Sequence, residues 1–341
     1  MVGCRVGAKN TLLKNYLWFA EKAGAEVMAD QMVTDIQPLG ASDGSDGYTV
    51  RTRRPGIFPG RRRVITAKGI VVSAGALGTN HLLANCKHSG SLPNISDQLG
   101  ELVRTNSESV LAVTLPDDER KVWNSVAISS SIHTDQDTHI EVVTYGQKGD
   151  AMKYLFTLLT GPGTRWTRVF SLLRNAVRHP LDFARTLWPF GWSRRTIALL
   201  VMQSLDNAIS FRAKKRWFSR RVRLSTEQHP DMPNPTYIEA GNKAAEWIAK
   251  QTGGLAQSMF LEAAANIPTT AHILGGATIG RDAEHGVIDR NQRLFGYQNL
   301  LVCDGSAMPA NPGVNPSLTI TAMTERAMAK IPEKGSAESL A

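Results

Sequence analysis

A histidine, a strand that ends in Asp-Gly and an asparagine–proline turn follow one another within residues 269–330. His272 precedes a pair of glycines, so a titratable imidazole stands beside two positions that have no side chain. Residues 299–303 predict a short buried strand, and Asp304-Gly305 lets the chain turn and its backbone approach a ligand closely. An imidazole at such a wall could hold and remove a proton. We interpret the three features as parts of one active-site wall.

The turn Gly313-Val314-Asn315-Pro316 is expected to open a helix. Asn315 has the chemistry of an N-cap, and Pro316 suits the first helical position. A helix that begins in this way presents free N–H groups and the positive end of its dipole to whatever precedes it. An anion fits there, either a phosphate or the negative charge that collects on a reduced flavin.

In this order the three features resemble the C-terminal signature of the glucose–methanol–choline (GMC) oxidoreductases, in particular the cholesterol oxidase branch. That signature reads H-P-L-G-G, then a strand ending in D-G-S, then G-V-N-P and a helix. Here Ile273 replaces the first proline, whereas Asp304-Gly305-Ser306 and the turn at 313–316 are intact. The resemblance covers nearly all of the chain except the basic segment 151–223.

The resemblance implies an FAD-dependent oxidoreductase that acts on the CH–OH group of a sterol-like or other hydrophobic alcohol. His272 would hold and deprotonate the hydroxyl group, and Asn315 would position the substrate oxygen. Glu141 would be a second acid or base, although a carboxylate within a strand more often faces solvent. The residues that would line the flavin or the dinucleotide are Val33, Ala74, Gly75, Asp304, Gly305 and Pro316.

The fold class that the resemblance implies is α/β with an α+β part. Residues 1–105 would be the remaining part of a Rossmann-like FAD-binding domain that lacks its N-terminal βαβ unit. Residues 106–268 would form a substrate domain with a mostly antiparallel sheet and helices. Residues 269–331 would complete the flavin site, and 332–341 would be a flexible tail.

Residue patterns predict the elements that would position these side chains. Helices are predicted over 11–23, 169–178, 196–206 and 237–251, and after the small-residue turn at 74–78 through 83. Strands are predicted over 26–28, 32–36, 48–53, 63–66, 69–73, 110–114, 122–129 and 138–144. Period-two alternation puts Glu141 on the same face as His139 and Val143, and His133 and His139 are expected to be loop and surface residues.

No G-x-G-x-x-G follows a predicted strand in this sequence. In dinucleotide-binding folds that fingerprint holds the pyrophosphate at a helix N-terminus. We therefore expect the chain to correspond to the C-terminal part of a GMC enzyme and to bind FAD weakly or not at all by itself. The alternative is an inactive, membrane-associated remnant that keeps a pocket for a sterol or another lipid.

The net charge of +9 is concentrated in one segment of the chain. Residues 153–223 hold 15 Lys and Arg against two acidic residues, which leaves the rest of the chain slightly acidic. A basic character confined to one segment, without an RNP-type arrangement of aromatic residues, argues against a nucleic-acid-binding protein.

Segment 151–223 also carries aromatic residues among its arginines, namely Tyr154, Phe156, Trp166, Phe170, Phe183, Trp188, Phe190, Trp192, Phe211, Trp217 and Phe218. Basic amphipathic helices with Trp and Phe suit an anionic membrane surface, which is the interpretation we favour. The alternative is a solvated basic lid over the substrate cavity, with the aromatic residues in the core.

The three cysteines, Cys4, Cys86 and Cys303, are widely spaced and form no metal-binding or disulfide pattern. Their spacing favours a reducing compartment, and no apolar run reaches the length of a membrane span. The sequence thus predicts a cytoplasmic protein without a metal site, with the basic segment as a candidate for peripheral contact with a membrane.

Overall fold

The computed structural model describes residues 6–56, 60–215 and 222–332. The α-helices of this part of the chain are α1 (Tyr16–Lys22), α2 (Gly75–Ser89), α3 (Arg165–Arg178), α4 (Pro180–Leu187), α5 (Trp192–Arg195), α6 (Glu239–Thr252), α7 (Phe260–Ala265) and α8 (Ser317–Met328). The strands are β1 (Met32–Pro38), β2 (Tyr48–Arg53), β3 (Arg62–Ala67), β4 (Ile70–Val72), β5 (Val103–Arg104), β6 (Ser109–Thr114), β7 (Ile128–His133), β8 (Thr138–Thr144), β9 (Phe156–Leu158), β10 (Thr196–Gln203), β11 (Ile209–Lys215), β12 (Val222–Gln228), β13 (Leu255–Met259), β14 (Leu274–Gly275) and β15 (Leu300–Val302).

A six-stranded antiparallel sheet forms the larger layer, in the order β7-β8-β10-β6-β13-β9. Its inner strands have a core on each face. One core includes Trp192 and Met202, and the other includes Leu111, Val201 and Ala245 of α6. A strand covered on both faces needs apolar residues at nearly every position. This sheet fixes the position of Glu141, which lies on β8 opposite Leu200 of β10.

A second core holds the part of the chain that resembles a dinucleotide-binding domain. Strands β4 and β15 pair in parallel, and the antiparallel meander β1-β2-β3 lies nearby. Helix α2 begins three residues after β4 and packs Leu83 and Cys86 into the core that includes Ile36 and Val302. The chain therefore brings the segment after β4 next to the segment after β15.

A four-stranded sheet, β12-β11-β5-β14, contains the glycine motif that follows His272. Its short strand β14 pairs with β5, where Leu274 lies opposite Arg104 and Gly275 opposite Val103. The pairing is antiparallel and places His272 beside the residues that lead from β5 into β6.

The mixed class with a mostly antiparallel second sheet is confirmed, whereas the domain boundaries stay a prediction. One predicted element has the wrong type, because residues 196–206 were expected to be helical and Thr196–Gln203 is the strand β10. A continuous apolar run fits a buried strand as well as a buried helix, and only its two neighbouring strands decide between them.

Smaller differences concern the ends of elements. Helix α1 begins at Tyr16, five residues later than predicted, and residues 26–28 form no strand. Strand β7 begins at Ile128, not at 122. Trp217, Phe218, Cys4 and the last nine residues of the predicted tail lie outside the described residues. None of the helices in the described ranges is both long enough and apolar enough to cross a membrane.

Candidate active site

His272 is held by a carboxylate that lies far away in the sequence. Its Nδ1 forms a hydrogen bond with Oε1 of Glu108, and Oε2 of the same carboxylate accepts from the backbone N–H of Ala271. The backbone N–H of His272 donates to Oγ1 of Thr270 at 3.0 Å. The Glu108 side chain is fully buried, whereas the imidazole keeps a small exposed area. A carboxylate in this position fixes both the tautomer and the orientation of the ring.

The pKa of His272 is raised above its usual value by the acidic groups around it. Burial acts in the opposite direction and is the largest single influence, because it disfavours the charged imidazolium. The hydrogen bond and charge of Glu108, the charge of Glu141 and a hydrogen bond with Asn315 together outweigh burial. The imidazole is therefore a strengthened base that several groups stabilise in its protonated form.

Asn315 holds the carboxylate of Glu141 and also contributes to the raised pKa of His272. Its side-chain amide donates to Oε1 and Oε2 of Glu141 at 2.8 and 3.0 Å, and the Glu141 carboxylate is buried. The prediction that Asn315 caps a helix is wrong, because Pro316 occupies the cap position and α8 starts at Ser317. The amide donates to the buried carboxylate and does not cap the first turn of the helix, because a buried charge without a hydrogen-bond partner costs free energy.

The turn that carries Asn315 is fixed by Asn106. The side-chain amide of Asn106 donates to the carbonyl of Val314 at 2.9 Å, and its side-chain oxygen accepts from the N–H of Gly313 at 3.3 Å. Asn311, two residues before the turn, contacts the segment that contains Asn106, because its side-chain oxygen accepts from the N–H groups of Thr105 and Asn106 at 3.1 Å. The residues before β6 thus hold the turn as well as His272.

The glycine pair after His272 is required by close packing. Gly275 and Gly276 have φ values of 74° and 85°, a region that residues with a side chain rarely adopt. A Cβ at Gly275 would collide with the carbonyl oxygen of Leu102, and a Cβ at Gly276 would stand 2.5 Å from the side chain of Asn80. Glycine is therefore needed at both positions, because other segments of the same chain pack directly against them.

Asp304 joins two of the predicted cofactor segments. Its carboxylate accepts from the backbone N–H of Gly75 at 2.9 Å and from the hydroxyl of Thr79. It also accepts from the N–H of Ser306 at 2.8 Å, which begins the short 3-10 turn Gly305–Ala307. The Ala74-Gly75 turn and the Asp304-Gly305 turn, predicted separately, are therefore adjacent.

Val33 and Ala74 line one cavity of about 720 Å³. The cavity lies between the meander, the strand β4 and the first turns of α2, where Gly78 and His81 contribute to its wall. Pro316 stands apart from this cavity, at the start of α8, and no side chain caps the first N–H groups of that helix.

The two histidines near Glu141 lie on strands and not in loops, and although His133 is exposed as predicted, His139 is not the surface residue that the sequence predicts. His139 lies on β8 and is buried, and its ring stacks on His133 of β7 with centroids 4.5 Å apart. Nδ1 of His139 is 3.9 Å from Oε1 of Glu141. They lie on adjacent strands with side chains on the same face, because the pairing places His133 opposite His139.

Glu108 is the residue of this site that the sequence did not reveal. It stands in Asn106-Ser107-Glu108, just before a strand of apolar residues, and nothing in its spacing links it to His272. The one feature of the sequence that could have indicated a role for Glu108 is its position, since a charged residue directly before a buried strand is unusual. The backbone of Asn106 and Ser107, with φ values of 53° and 47°, turns Glu108 towards the histidine.

The sequence of this chain is similar to known oxidoreductases. The family model described as GMC oxidoreductase matches residues 203–324. A cholesterol oxidase from Acinetobacter baumannii is 44% identical over 99% of the chain, and one from Mycobacterium tuberculosis (strain CDC 1551 / Oshkosh) is 47% identical over 98%. The chain spans 61% and 58% of the lengths of these two relatives.

A solved structure gives the fold independently of sequence identity. The FAD-dependent oxidoreductase from Chaetomium thermophilum is 14% identical, with a TM-score of 0.50, and the match covers 93% of this chain and 63% of that one. The similarities in fold and in sequence both agree with the resemblance of the segment from His272 to Asn315 to the GMC signature. Residues 203–324 match the model of the C-terminal domain of the GMC oxidoreductase family, and nearly the whole chain is similar in sequence to cholesterol oxidases.

Proposed function

We propose that this chain supplies the catalytic wall of an FAD-dependent enzyme that oxidises the CH–OH group of a sterol-like or other hydrophobic alcohol. The observation that carries the proposal is that Glu108 holds the base His272 while Asn315 holds a second carboxylate, Glu141, whose charge raises the pKa of that base. The names of the two cholesterol oxidases support a sterol-like substrate.

The residues present fit an FAD group. Gly75 has a φ of 73° and open space where a Cβ would stand, so a ligand could approach its backbone. Val33 and Ala74 line a cavity beside it. Asp304 and Gly305 would lie along the flavin, and the uncapped N-terminus of α8 after Pro316 would favour negative charge on it. When bound, the flavin would accept the hydride that leaves the alcohol carbon.

His272 would remove the proton of the substrate hydroxyl. Glu108 holds Nδ1, which leaves Nε2 as the atom that receives the proton. The same carboxylate, together with Glu141, stabilises the imidazolium that results, which is why the pKa of His272 is raised. The base acts while it is neutral, so activity should rise with pH through this raised value.

Asn315 and Glu141 would act on the other side of the substrate oxygen. The amide of Asn315 is held against the carboxylate and cannot turn freely, so its position is fixed before a substrate arrives. Glu141 is buried yet keeps a charge-assisted hydrogen bond, which suits a group that takes up and returns a proton. We assign it the role of second acid or base.

A hydrophobic alcohol of this kind resides in membranes, so we also propose that the basic segment 151–223 contacts a membrane surface. The alternative to catalysis, an inactive remnant that binds a sterol or another lipid, would keep the pocket and the membrane contact and lack oxidation. The two functions differ in one measurable property, the formation of a ketone.

The test joins this chain to the part of the Acinetobacter baumannii relative that the alignment leaves out. The chimera should bind FAD, seen in its absorbance spectrum, and convert a 3β-hydroxysteroid to a ketone. His272→Ala should remove oxidation by about three orders of magnitude while FAD stays bound. A chimera that binds FAD and sterol without forming a ketone would support the remnant.

A further inference from the structure

Helix α3 presents its apolar stripe to solvent. Trp166, Phe170, Leu173 and Val177 follow one another at spacings of four, three and four residues, so they share one face. Between 61% and 81% of each of these side chains is exposed. A helix on the surface of a soluble domain normally turns such a stripe inwards, and a contiguous exposed stripe marks an interaction site.

The opposite face of α3 is the buried one, and it is polar. Arg168 is only 2% exposed, and its guanidinium donates to the carbonyl of Thr236 at 2.7 Å and to Oδ1 of Asn266 at 3.0 Å. The side-chain amide of Asn175, also on this face, donates to the carbonyl of Leu159 at 3.1 Å. These bonds fix which face points outwards, so the exposure of the apolar stripe is built into the fold.

Exposed arginines flank the stripe. Arg174 and Arg178 lie on one side and Arg165 on the other, where its guanidinium stacks near the ring of Trp166 at 5.7 Å. No acidic residue occurs between Asp150 and Asp182. The apolar character continues into the next elements, where Leu181, Leu187, Trp188 and Phe190 are exposed. Aromatic residues bordered by arginines match the interface of an anionic lipid layer.

We propose that this face, defined by Trp166, Phe170, Leu173 and Val177 with Arg165, Arg174 and Arg178, docks on the surface of an anionic phospholipid bilayer. The lid alternative, with aromatic residues in the core, does not describe these side chains, because they are exposed. The positive charge of the arginines favours anionic lipid headgroups as the partner. The same face of a second copy of the chain would carry the same positive charge and would be repelled.

The docking face is also linked to the candidate active site. Asn266, which binds Arg168, ends helix α7 and lies six residues before His272. The Glu262 carboxylate of α7 accepts from the hydroxyls of Ser109 at 2.8 Å and Thr269 at 3.0 Å. A bilayer that holds α3 would therefore set the orientation of the site above the membrane. The inference names the residues of the membrane contact proposed above, and the orientation of the site rests in addition on the proposed oxidation.

The experiment measures flotation of this chain with phosphatidylcholine vesicles, with and without about one third phosphatidylglycerol. No sterol or FAD is present, so the result does not depend on oxidation. We expect binding to the anionic vesicles that is at least about tenfold stronger than to the neutral ones, and that weakens with salt. Equal binding to both vesicles, or no binding, would overturn the proposal.

Two variants and a matched control locate the contact. Trp166→Ser with Phe170→Ser should weaken vesicle binding about tenfold or more, and Arg174→Gln with Arg178→Gln should weaken it about fivefold per arginine. Trp247→Ser on α6, where the tryptophan is 63% exposed, should leave it unchanged. All the substituted residues are at the surface, so the melting curve should stay that of the parent chain.

An equal effect of Trp247→Ser would show that the face is not the contact, and would contradict the proposal. Analytical ultracentrifugation, which measures the oligomeric state, is the second test. A dimer that Trp166→Ser with Phe170→Ser dissolves would identify a second copy as the occupant and likewise overturn docking on lipid.

Discussion

The side-chain amide of Asn315 donates to both carboxylate oxygens of Glu141, at 2.8 and 3.0 Å, across 174 residues of sequence. The amide therefore belongs to a buried carboxylate and not to the helix that follows it. Asn315 and Glu141 also contribute to the raised pKa of His272, so the amide is linked to the carboxylate by hydrogen bonds and to the imidazole through its pKa. A substitution at one of these residues should therefore alter the interactions of the others.

Replacing Asn315 with leucine should lower the free energy of unfolding by about 2–4 kcal/mol, because the buried Glu141 loses its charge-assisted bonds. Urea denaturation measures the loss. The loss should shrink when Glu141→Leu is present as well, since no buried charge then remains without a partner. Two substitutions whose effects simply add would mean that the pair contributes no coupling.

Glu108→Gln should lower the pKa of His272. The substitution removes the hydrogen bond with a carboxylate and its charge, so burial, which lowers the pKa, has less to oppose it. NMR titration of the imidazole on this chain measures the shift. Glu101→Gln is the matched control, because that carboxylate pairs with Arg212 elsewhere in the structure. A His272 titration unchanged by Glu108→Gln would exclude the proposed positioning role.

The pair should also make stability depend on pH. The pKa of His272 is raised from 6.5 in the folded chain, so its contribution is fully present below that unfolded value and is lost as pH rises through the folded value. The parent chain should exceed Glu108→Gln in unfolding free energy by more at about pH 6 than at about pH 9. Urea midpoints across this window test the sign, and a difference that grows with pH would contradict it.

Asp304→Ala should destabilise the chain by about 2–3 kcal/mol, because the N–H groups of Gly75 and Ser306 and the hydroxyl of Thr79 lose a common acceptor. Thr79→Val removes one of these bonds and should cost about 1 kcal/mol. In the chimera with the relative, Asp304→Ala should also weaken FAD binding. A stable variant with unchanged flavin spectrum would argue that the two turns hold their places without the carboxylate.

Gly275→Ala should cost several kcal/mol, on the order of 3, because the new Cβ would meet the Leu102 carbonyl and the left-handed backbone would be strained. Gly146→Ala serves as the control, since nothing lies within 4 Å of its Cβ position. Thermal unfolding distinguishes the two. A mild effect at Gly275 would mean that the backbone at Leu102, just before β5, moves aside at little cost.

Local sequence pattern predicted the strands at 48–53 and 138–144 and most of α2, α3 and α6, because period and turn residues are local properties. It failed at β10, where the continuous apolar run at 197–202 has no period to distinguish a strand from a helix. It also misjudged His139, whose burial depends on the partner strand β7. Both errors concern neighbours that are distant in the sequence.

The sequence by itself determined the motifs, since His272, the Asp304 turn and the Asn315 turn carry their chemistry in their order and spacing. Only the tertiary structure decided their partners. Glu108 reaches His272 because β5 pairs with β14, and Glu141 reaches Asn315 because Asn106 holds the turn beside the sheet. The hydrogen bonds from Arg168 to acceptors that are distant in the sequence likewise determine which face of α3 is exposed. Contacts of this kind depend on packing between remote segments, which no local pattern encodes.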